Sequence, residues 1–402
     1  MLNAPHNHAD ISYRTWQRDV AHVNGRAVAI ATKPGLFGHG RQDAAALLLA
    51  EHAMVSPGDV VVYLNCGNAL FGVLAATMGK ASQVLLTDRN VISAEAARRT
   101  LAMHNAMNTK VLLQQGIGSA LTDGTADIVC IRLPHERLAQ THLLQDAYGA
   151  LRVGGRCYIA GATNEGVKTA ARLFEQRFGQ THVLASGGGY RLLVATKTHE
   201  ASIYDPVFDN PLLDAGQFNE IRTMLREREL TLFTRPGIFS SAHLDEATEL
   251  LASVIDIGVG ESVLDLGCGG GALGAVAGML SEGARLCLVD ADIDAVRSAS
   301  RTMAAAGLTE ARIVASDIAD AVRNERFDVV VSNPPFHIGK ATALDVPIQF
   351  MREAHHVLNT HGRLMLVANR TLPYERAMSD IFGNVRVMHD SARFKVLAAT
   401  KQ

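Results

Sequence analysis

The chain has 402 residues, 48% of them hydrophobic and 19% charged, which is ordinary for a soluble globular protein and long enough for two or three domains. Its five cysteines show no Cys-x-x-Cys spacing, no stretch approaches the ~18 apolar residues of a membrane span, and the N-terminal residues lack the apolar core of a signal peptide. These features set aside a disulfide scaffold, a zinc site or other metal centre and a membrane protein, and lead us to expect a cytoplasmic one. The net charge of −2 conceals an asymmetry: residues 1–200 hold 19 Lys+Arg against 14 Asp+Glu, net +5, and residues 201–402 hold 19 against 26, net −7. The front half is therefore the better candidate for meeting a polyanion.

Taken in order, the chain reads as one domain written twice. Residues 1–25, which include the single Trp (Trp16), carry no readable chemistry. From there on, matching residues recur at a shift of 202: Pro34-Gly35-Leu36-Phe37 with Pro236-Gly237-Ile238-Phe239, Asp43 with Asp245, Cys66-Gly67 with Cys268-Gly269, and Asp88 with Asp290. The ends of the copies also match, Tyr190–Lys197 with Phe394–Lys401. A unit this long folds alone, unlike a solenoid repeat. Each copy opens with a predicted helix (43–54, 245–256), followed by a strand ending in a Gly-bearing turn, a helix, a second strand ending in Asp, another helix and further strands. That alternation predicts an α/β fold with a parallel sheet covered by helices on both faces. Paired β-branched runs, 181–185 with 190–196 and 385–389 with 393–400, predict a closing hairpin that adds one antiparallel strand to each sheet. The expected division is 1–198, a linker at 199–231 containing a charged helix over 218–229, and 232–402.

The chemistry gathers in the second copy. Residues 262–266 form a strand that enters Gly267-Cys268-Gly269-Gly270-Gly271, where glycines let the backbone pass close beneath a ligand. Asp265 precedes this loop. Asp290 ends the next strand, suited to accept the hydroxyls of a ribose, and Asp317 with Ile318 follows the third, suited to receive an adenine amino group. The run Asp328–Ser332 stops at Asn333-Pro334-Pro335-Phe336, because neither proline can donate to a ladder. Asn333 is therefore held at the carboxyl edge of a sheet, where open α/β sheets bind their ligands. Its side-chain oxygen and the Pro334 carbonyl make two acceptors for an exocyclic NH2, and Phe336 can stack on a planar ring. Gly267, Gly269 and Ala272 also satisfy the dinucleotide pattern, so the residues alone leave a nicotinamide-dependent oxidoreductase open, although Asn-Pro-Pro-Phe has no task in hydride transfer.

Together these residues resemble the class I S-adenosylmethionine methyltransferases. The Asn-Pro-Pro-aromatic form is similar to the branch that methylates planar NH2 groups in adenine, guanine or a glutamine amide. More narrowly, residues 30–402 resemble the tandem ribosomal RNA guanine-N2 methyltransferases of the RsmC and RlmG type. The resemblance implies two Rossmann-like units, each a mostly parallel seven-stranded sheet with an antiparallel C-terminal hairpin. It further implies S-adenosylmethionine as methyl donor and ribosomal RNA or a ribosomal subunit as partner, with the small-subunit type preferred. The implied donor site comprises Phe239, Asp265, Gly267, Gly269, Gly271, Asp290, Asp317, Ile318 and Asn333, and the implied methyl-transfer residues are Asn333, Pro334 and Phe336. DNA adenine or a protein glutamine amide remains an alternative substrate.

The first copy lacks most of this set. At the fixed shift Asp265 becomes Tyr63, Gly267 becomes Asn65, and Gly270-Gly271 become Asn68-Ala69. Gly116 lies opposite Asp317, and Arg132-Leu133-Pro134-His135 opposite Asn-Pro-Pro-Phe. Of the acids only Asp88 survives, so this copy is expected not to bind the donor. The resemblance implies that it supports the active copy and helps hold RNA, with Arg132, His135, Arg137 and Lys168 as expected contacts.

Overall fold

The structure, a computed structural model, describes residues 13–199, 205–214, 216–335 and 344–402. The front unit runs β1 (Gln17–Val23), β2 (Arg26–Thr32), α1 (Ala44–His52), β3 (Val60–Leu64), α2 (Leu70–Thr77), β4 (Gln83–Asp88), α3 (Val91–Met103), β5 (Thr109–Leu113), β6 (Ala126–Arg132), α4 (Arg137–Ala150), β7 (Leu151–Ala162), α5 (Val167–Phe178), β8 (Thr181–Gly187) and β9 (Tyr190–Thr196). The rear unit repeats it: β10 (Asn219–Leu225), β11 (Arg228–Thr234), α6 (Glu246–Val254), β12 (Ser262–Leu266), α7 (Ala272–Leu280), β13 (Arg285–Asp290), α8 (Ile293–Ala305), β14 (Arg312–Ala315), β15 (Phe327–Ser332), α9 (Asp345–Val357), β16 (Leu358–Asn369), α10 (Tyr374–Phe382), β17 (Arg386–Asp390) and β18 (Phe394–Thr400). Each unit holds a seven-stranded sheet, in the orders β5-β4-β3-β6-β7-β9-β8 and β14-β13-β12-β15-β16-β18-β17. All pairs are parallel except those made by β9 and β18.

The central strands are covered on both faces, so they read as unbroken apolar runs rather than alternating ones: Val61-Val62-Tyr63-Leu64 and Val329-Val330-Val331 are buried throughout. The strand order reverses beside β3 and β12. At those points the loops after β3 and β6, and after β12 and β15, open a crevice at the carboxyl ends of the strands.

Each unit opens with a two-stranded hairpin, β1–β2 and β10–β11. The second replaces the charged helix expected over 218–229 and occupies much of the expected linker 199–231. Its burial alternates with period two: Ile221, Thr223 and Leu225 turn inward while Glu220, Arg222 and Met224 face solvent. Both turn residues, Arg226 and Glu227, adopt left-handed φ (54° and 63°), matching Asn24 and Gly25 (48° and 78°) in the first hairpin. Arg-Glu carries none of the usual sequence signal for such a turn.

The units meet through equivalent positions. Asn90 and Asp292, each two residues past the second sheet strand of its unit, form an antiparallel bridge. The Val91 N–H donates to the Ala291 carbonyl and the Ile293 N–H to the Arg89 carbonyl, both at 2.9 Å. The joint is thus reciprocal about a local two-fold axis. The Arg89 guanidinium clamps it, donating to Asp292 at 2.7 Å, to the Gly237 and Pro236 carbonyls at 2.6 and 3.1 Å, and to Gln115 at 3.1 Å. Its counterpart in the rear unit is Ala291.

Candidate active site

Above the edge formed by β12, β13, β14 and β15 lies a cavity of about 390 Å³. Its walls include Phe239, Gly267, Gly269, Asp290, Asp317, Ile318, Asn333, Pro334 and Pro335, so most of the residues expected from sequence converge on one space. Phe336 lies outside the described residues.

The loop after β12 owes its shape to backbone that side chains disfavour. Gly267 has φ +80°, and a Cβ there would stand 3.1 Å from the Phe350 ring; Gly271 has φ +84° at the start of α7. Gly271 and Asp265 stand behind the cavity walls rather than among them. Asp265 lies beneath the loop, 1% exposed, and accepts the Gly274 N–H at 2.9 Å within the first turn of α7. Burial pushes its carboxyl up to about 7, although the Gly274 bond pulls the other way. It positions the loop rather than touching what the loop holds.

Asp290 stands at the wall itself. One carboxylate oxygen accepts the Gly269 N–H and the other the Asp292 N–H, each at 2.9 Å, which ties the glycine loop to the end of β13. Each oxygen keeps a lone pair for a ribose hydroxyl. Burial raises its pKa, and the two N–H bonds oppose the rise.

Asn333 shows the most specific geometry. Its amide nitrogen donates to Asp245 at 3.0 Å and to the Thr248 hydroxyl at 2.8 Å. A carboxylate only accepts, so this pairing assigns which end of the amide is nitrogen. The amide oxygen therefore faces the opposite way, and it is buried with no hydrogen-bond partner among the described residues. Asp245 is itself fixed as the N-cap of α6, accepting the Thr248 N–H at 3.0 Å. Ser332 ties this edge to the glycine loop by donating to the Leu266 carbonyl at 2.7 Å. A buried acceptor without a donor is costly, and Asn333 itself lines the cavity, so this oxygen is the candidate acceptor for an N–H group brought there.

Phe239 is 66% exposed at the cavity mouth, so it is not a core residue. Four further walls come from the front unit: Tyr13, Gly35, Asn90 and Ile92. Tyr13 donates its hydroxyl to Asp317 at 2.9 Å, and Lys33 pairs with the other oxygen of the same carboxylate. The segment before residue 25 therefore does carry chemistry. Asp245, Thr248, Phe350, Tyr13 and Lys33 are not singled out as site residues by the sequence, although Asp245 matches Asp43 at the repeat shift and Leu244-Asp245 belongs to the stretches that carry the family resemblance.

In the front unit the corresponding crevice is rebuilt. Asn65 and Ala69 keep the left-handed φ of the glycines they replace, at 56° and 63°. Tyr63 fills the place of Asp265, fully buried against Phe71. Asp88 retains the Asp290 geometry, accepting from Gly67 at 3.0 Å and Asn90 at 2.9 Å. Beside Gly116, where the rear unit has room for a nucleoside, Arg89 and Gln115 leave a slot of only about 20 Å³, whereas the mouth of the crevice, lined by Asp88, Arg89, Arg132 and His135, keeps about 350 Å³. Arg132 is 6% exposed and consumed by Asp43 at 3.0 Å, Glu165 at 2.9 Å and the Leu133 carbonyl at 2.6 Å, which corrects its expected role as an RNA contact. His135, Arg137 and Lys168 are exposed.

A glycine loop, acids after the second and third strands and an orphaned amide oxygen suit a methyltransferase of the S-adenosylmethionine-dependent α/β class, and the comparisons show that class. The model of the "Methyltransferase small domain" family matches residues 27–194 and again 229–398. Ribosomal RNA small subunit methyltransferase C of Erwinia tasmaniensis is 32% identical over 284 residues, covering 70% of this chain and 78% of that protein. The protein of the same name from Salmonella choleraesuis is 42% identical over 167 residues, 42% of this chain and 48% of its own. The Thermus thermophilus 16S rRNA N2 G1207 methyltransferase (RsmC), solved with AdoMet and guanosine, superposes with a TM-score of 0.80 at 29% identity, covering 96% of this chain and 98% of that one. The chain belongs to the methyltransferase small domain family, in its tandem ribosomal RNA small subunit methyltransferase C branch.

Proposed function

We propose that the chain transfers a methyl group from S-adenosylmethionine to the exocyclic N2 of a guanine in small-subunit ribosomal RNA, acting in the cytoplasm on rRNA or the ribosomal subunit. The orphaned Asn333 oxygen beside the glycine loop carries this reading. The residues fit the donor: Asp290 offers acceptors to the ribose, Asp317 and Ile318 line the nucleoside end, and Phe239 with Gly267 and Gly269 lines the end nearest Asn333. When bound, the donor supplies an electrophilic sulfonium methyl group. The chain's task is then to present the nucleophile, whose nitrogen lone pair is delocalised into the guanine ring. The Asn333 oxygen and the Pro334 carbonyl accept the two N–H bonds and turn that lone pair towards the methyl group, a matter of position and fixed dipoles rather than of a strong base. The aromatic residue at 336, outside the described residues, is of the type that would offset by stacking the few kcal/mol of unstacking the base. The rear unit carries this chemistry, and the front unit serves as scaffold and RNA-holding surface through His135, Arg137 and Lys168, without binding donor in its own crevice.

The test is Asn333→Ala. It should bind S-adenosylmethionine with near-normal affinity by calorimetry yet transfer tritiated methyl to small-subunit rRNA at least ~10²-fold more slowly, the usual loss for a preorganised polar contact. Wild-type turnover in this variant would remove the acceptor role, and methylation of large-subunit rRNA or of adenine would overturn the substrate.

A further inference from the structure

Asp317 sits at the nucleoside end of the cavity, yet the groups that fix its carboxylate belong to the front unit. Tyr13 Oη donates to one oxygen at 2.9 Å and the Lys33 ammonium pairs with the other. Lys33 is 3% exposed, and its ammonium also lies 4.2 Å from the centroid of the Tyr13 ring, so the three side chains form one packed cluster across the joint. Among the described residues the cluster has no counterpart in the other crevice. There the strand register sets Gln115, an uncharged amide, opposite Asp317 and Gly116 opposite Ile318, which corrects the match of Gly116 with Asp317 expected from sequence. The counterpart of Lys33, Arg235, is spent on the Asp214 and Gln217 carbonyls of its own unit.

A carboxylate held by a phenol and an ammonium has only lone pairs left to offer. It accepts from a 6-amino purine and opposes the carbonyl of a 6-oxo purine, lone pair against lone pair. Without its pins the same side chain is free to turn from the cavity.

We propose that Tyr13 and Lys33 are positioning residues for donor specificity, and that the front unit thereby sets the preference of the rear cavity for an adenosine over an inosine moiety. This rests on the donor-site reading above. The experiment is calorimetry on the full-length protein with S-adenosylhomocysteine and S-inosylhomocysteine, comparing wild type, Tyr13→Phe and Lys33→Met. Wild type should bind the adenosyl compound at least ~100-fold more tightly, in line with the rejection expected from a hydrogen-bonding site. The ratio should fall several-fold in Tyr13→Phe and at least ~10-fold in Lys33→Met. A merely structural weakening would raise both dissociation constants together and leave the ratio intact, and that outcome overturns the proposal even if one variant is unstable. Failure of wild type to bind S-adenosylhomocysteine would instead overturn the donor-site reading itself.

Discussion

The Asp245 carboxylate accepts the Asn333 amide N–H at 3.0 Å, and in the front unit Asp43 accepts the Arg132 guanidinium at the same distance. The same acid, at the repeat shift of 202, thus serves two ends. In one unit it orients an amide so that the oxygen is left open. In the other it neutralises a cation that fills the space an incoming amine would need.

Asp245→Asn tests this directly. The new amide offers a donor as well as an acceptor, so Asn333 is no longer held to one orientation. Methyl-transfer kcat should fall by roughly 10-fold, ~1.4 kcal/mol of activation energy, while donor affinity by calorimetry stays within about 2-fold.

Asp265 makes stability depend on pH. Its carboxyl is raised from 3.8 to about 7 by burial, so between those values the unfolded chain gives up a proton that the fold retains. The associated stability is complete below 3.8 and is lost as pH rises through about 7. Asp265→Asn keeps an oxygen for the Gly274 N–H without the charge. Relative to wild type, its melting temperature should be higher by about 3–6 °C at pH 8, roughly 1–2 kcal/mol, with the gap narrowing by pH 4.5 in calorimetric scans of the protein without donor.

Arg89→Ala strips the clamp from the joint and leaves the partly buried Asp292 without its cation. Such a loss costs a few kcal/mol, less than for a fully buried pair, visible as a lower denaturant midpoint. Calorimetric stoichiometry should remain at one donor per chain, because the front crevice still lacks the glycine loop and has Gln115 and Arg132 where the rear one has Asp317 and Asn333.

Arg132→Met should behave as a stability variant, losing a few kcal/mol through the unpaired Asp43 and Glu165 carboxylates. Arg137→Ala and Lys168→Ala should leave unfolding unchanged, weaken rRNA binding, and each reduce the salt-dependence slope by about one.

The duplication, the order of elements and the convergence of Asn333 with the glycine loop were legible in the sequence, because each is written in short spacings: a repeat shift, an apolar run stopped by prolines, glycines where backbone must bend. What escaped depends on partners distant in the chain. Tyr13 acquires meaning only through Asp317, 304 residues on. Arg132 looks like a surface cation until Asp43 and Glu165 close around it. Residues 218–229 look helical because their charges are evenly spread, and the packing of the hairpin through Phe233, whose N–H reaches the Thr302 hydroxyl on α8 at 3.0 Å, decides otherwise.

The reciprocal bonds around Asn90 and Asp292 give this single chain the symmetry of a homodimer. In a true dimer a substitution at such an interface is imposed on both halves at once. Covalent fusion lifts that constraint: one half could accept a bulky cation at position 89 while the other kept alanine at 291, so the seam was strengthened without obstructing the chamber still in use.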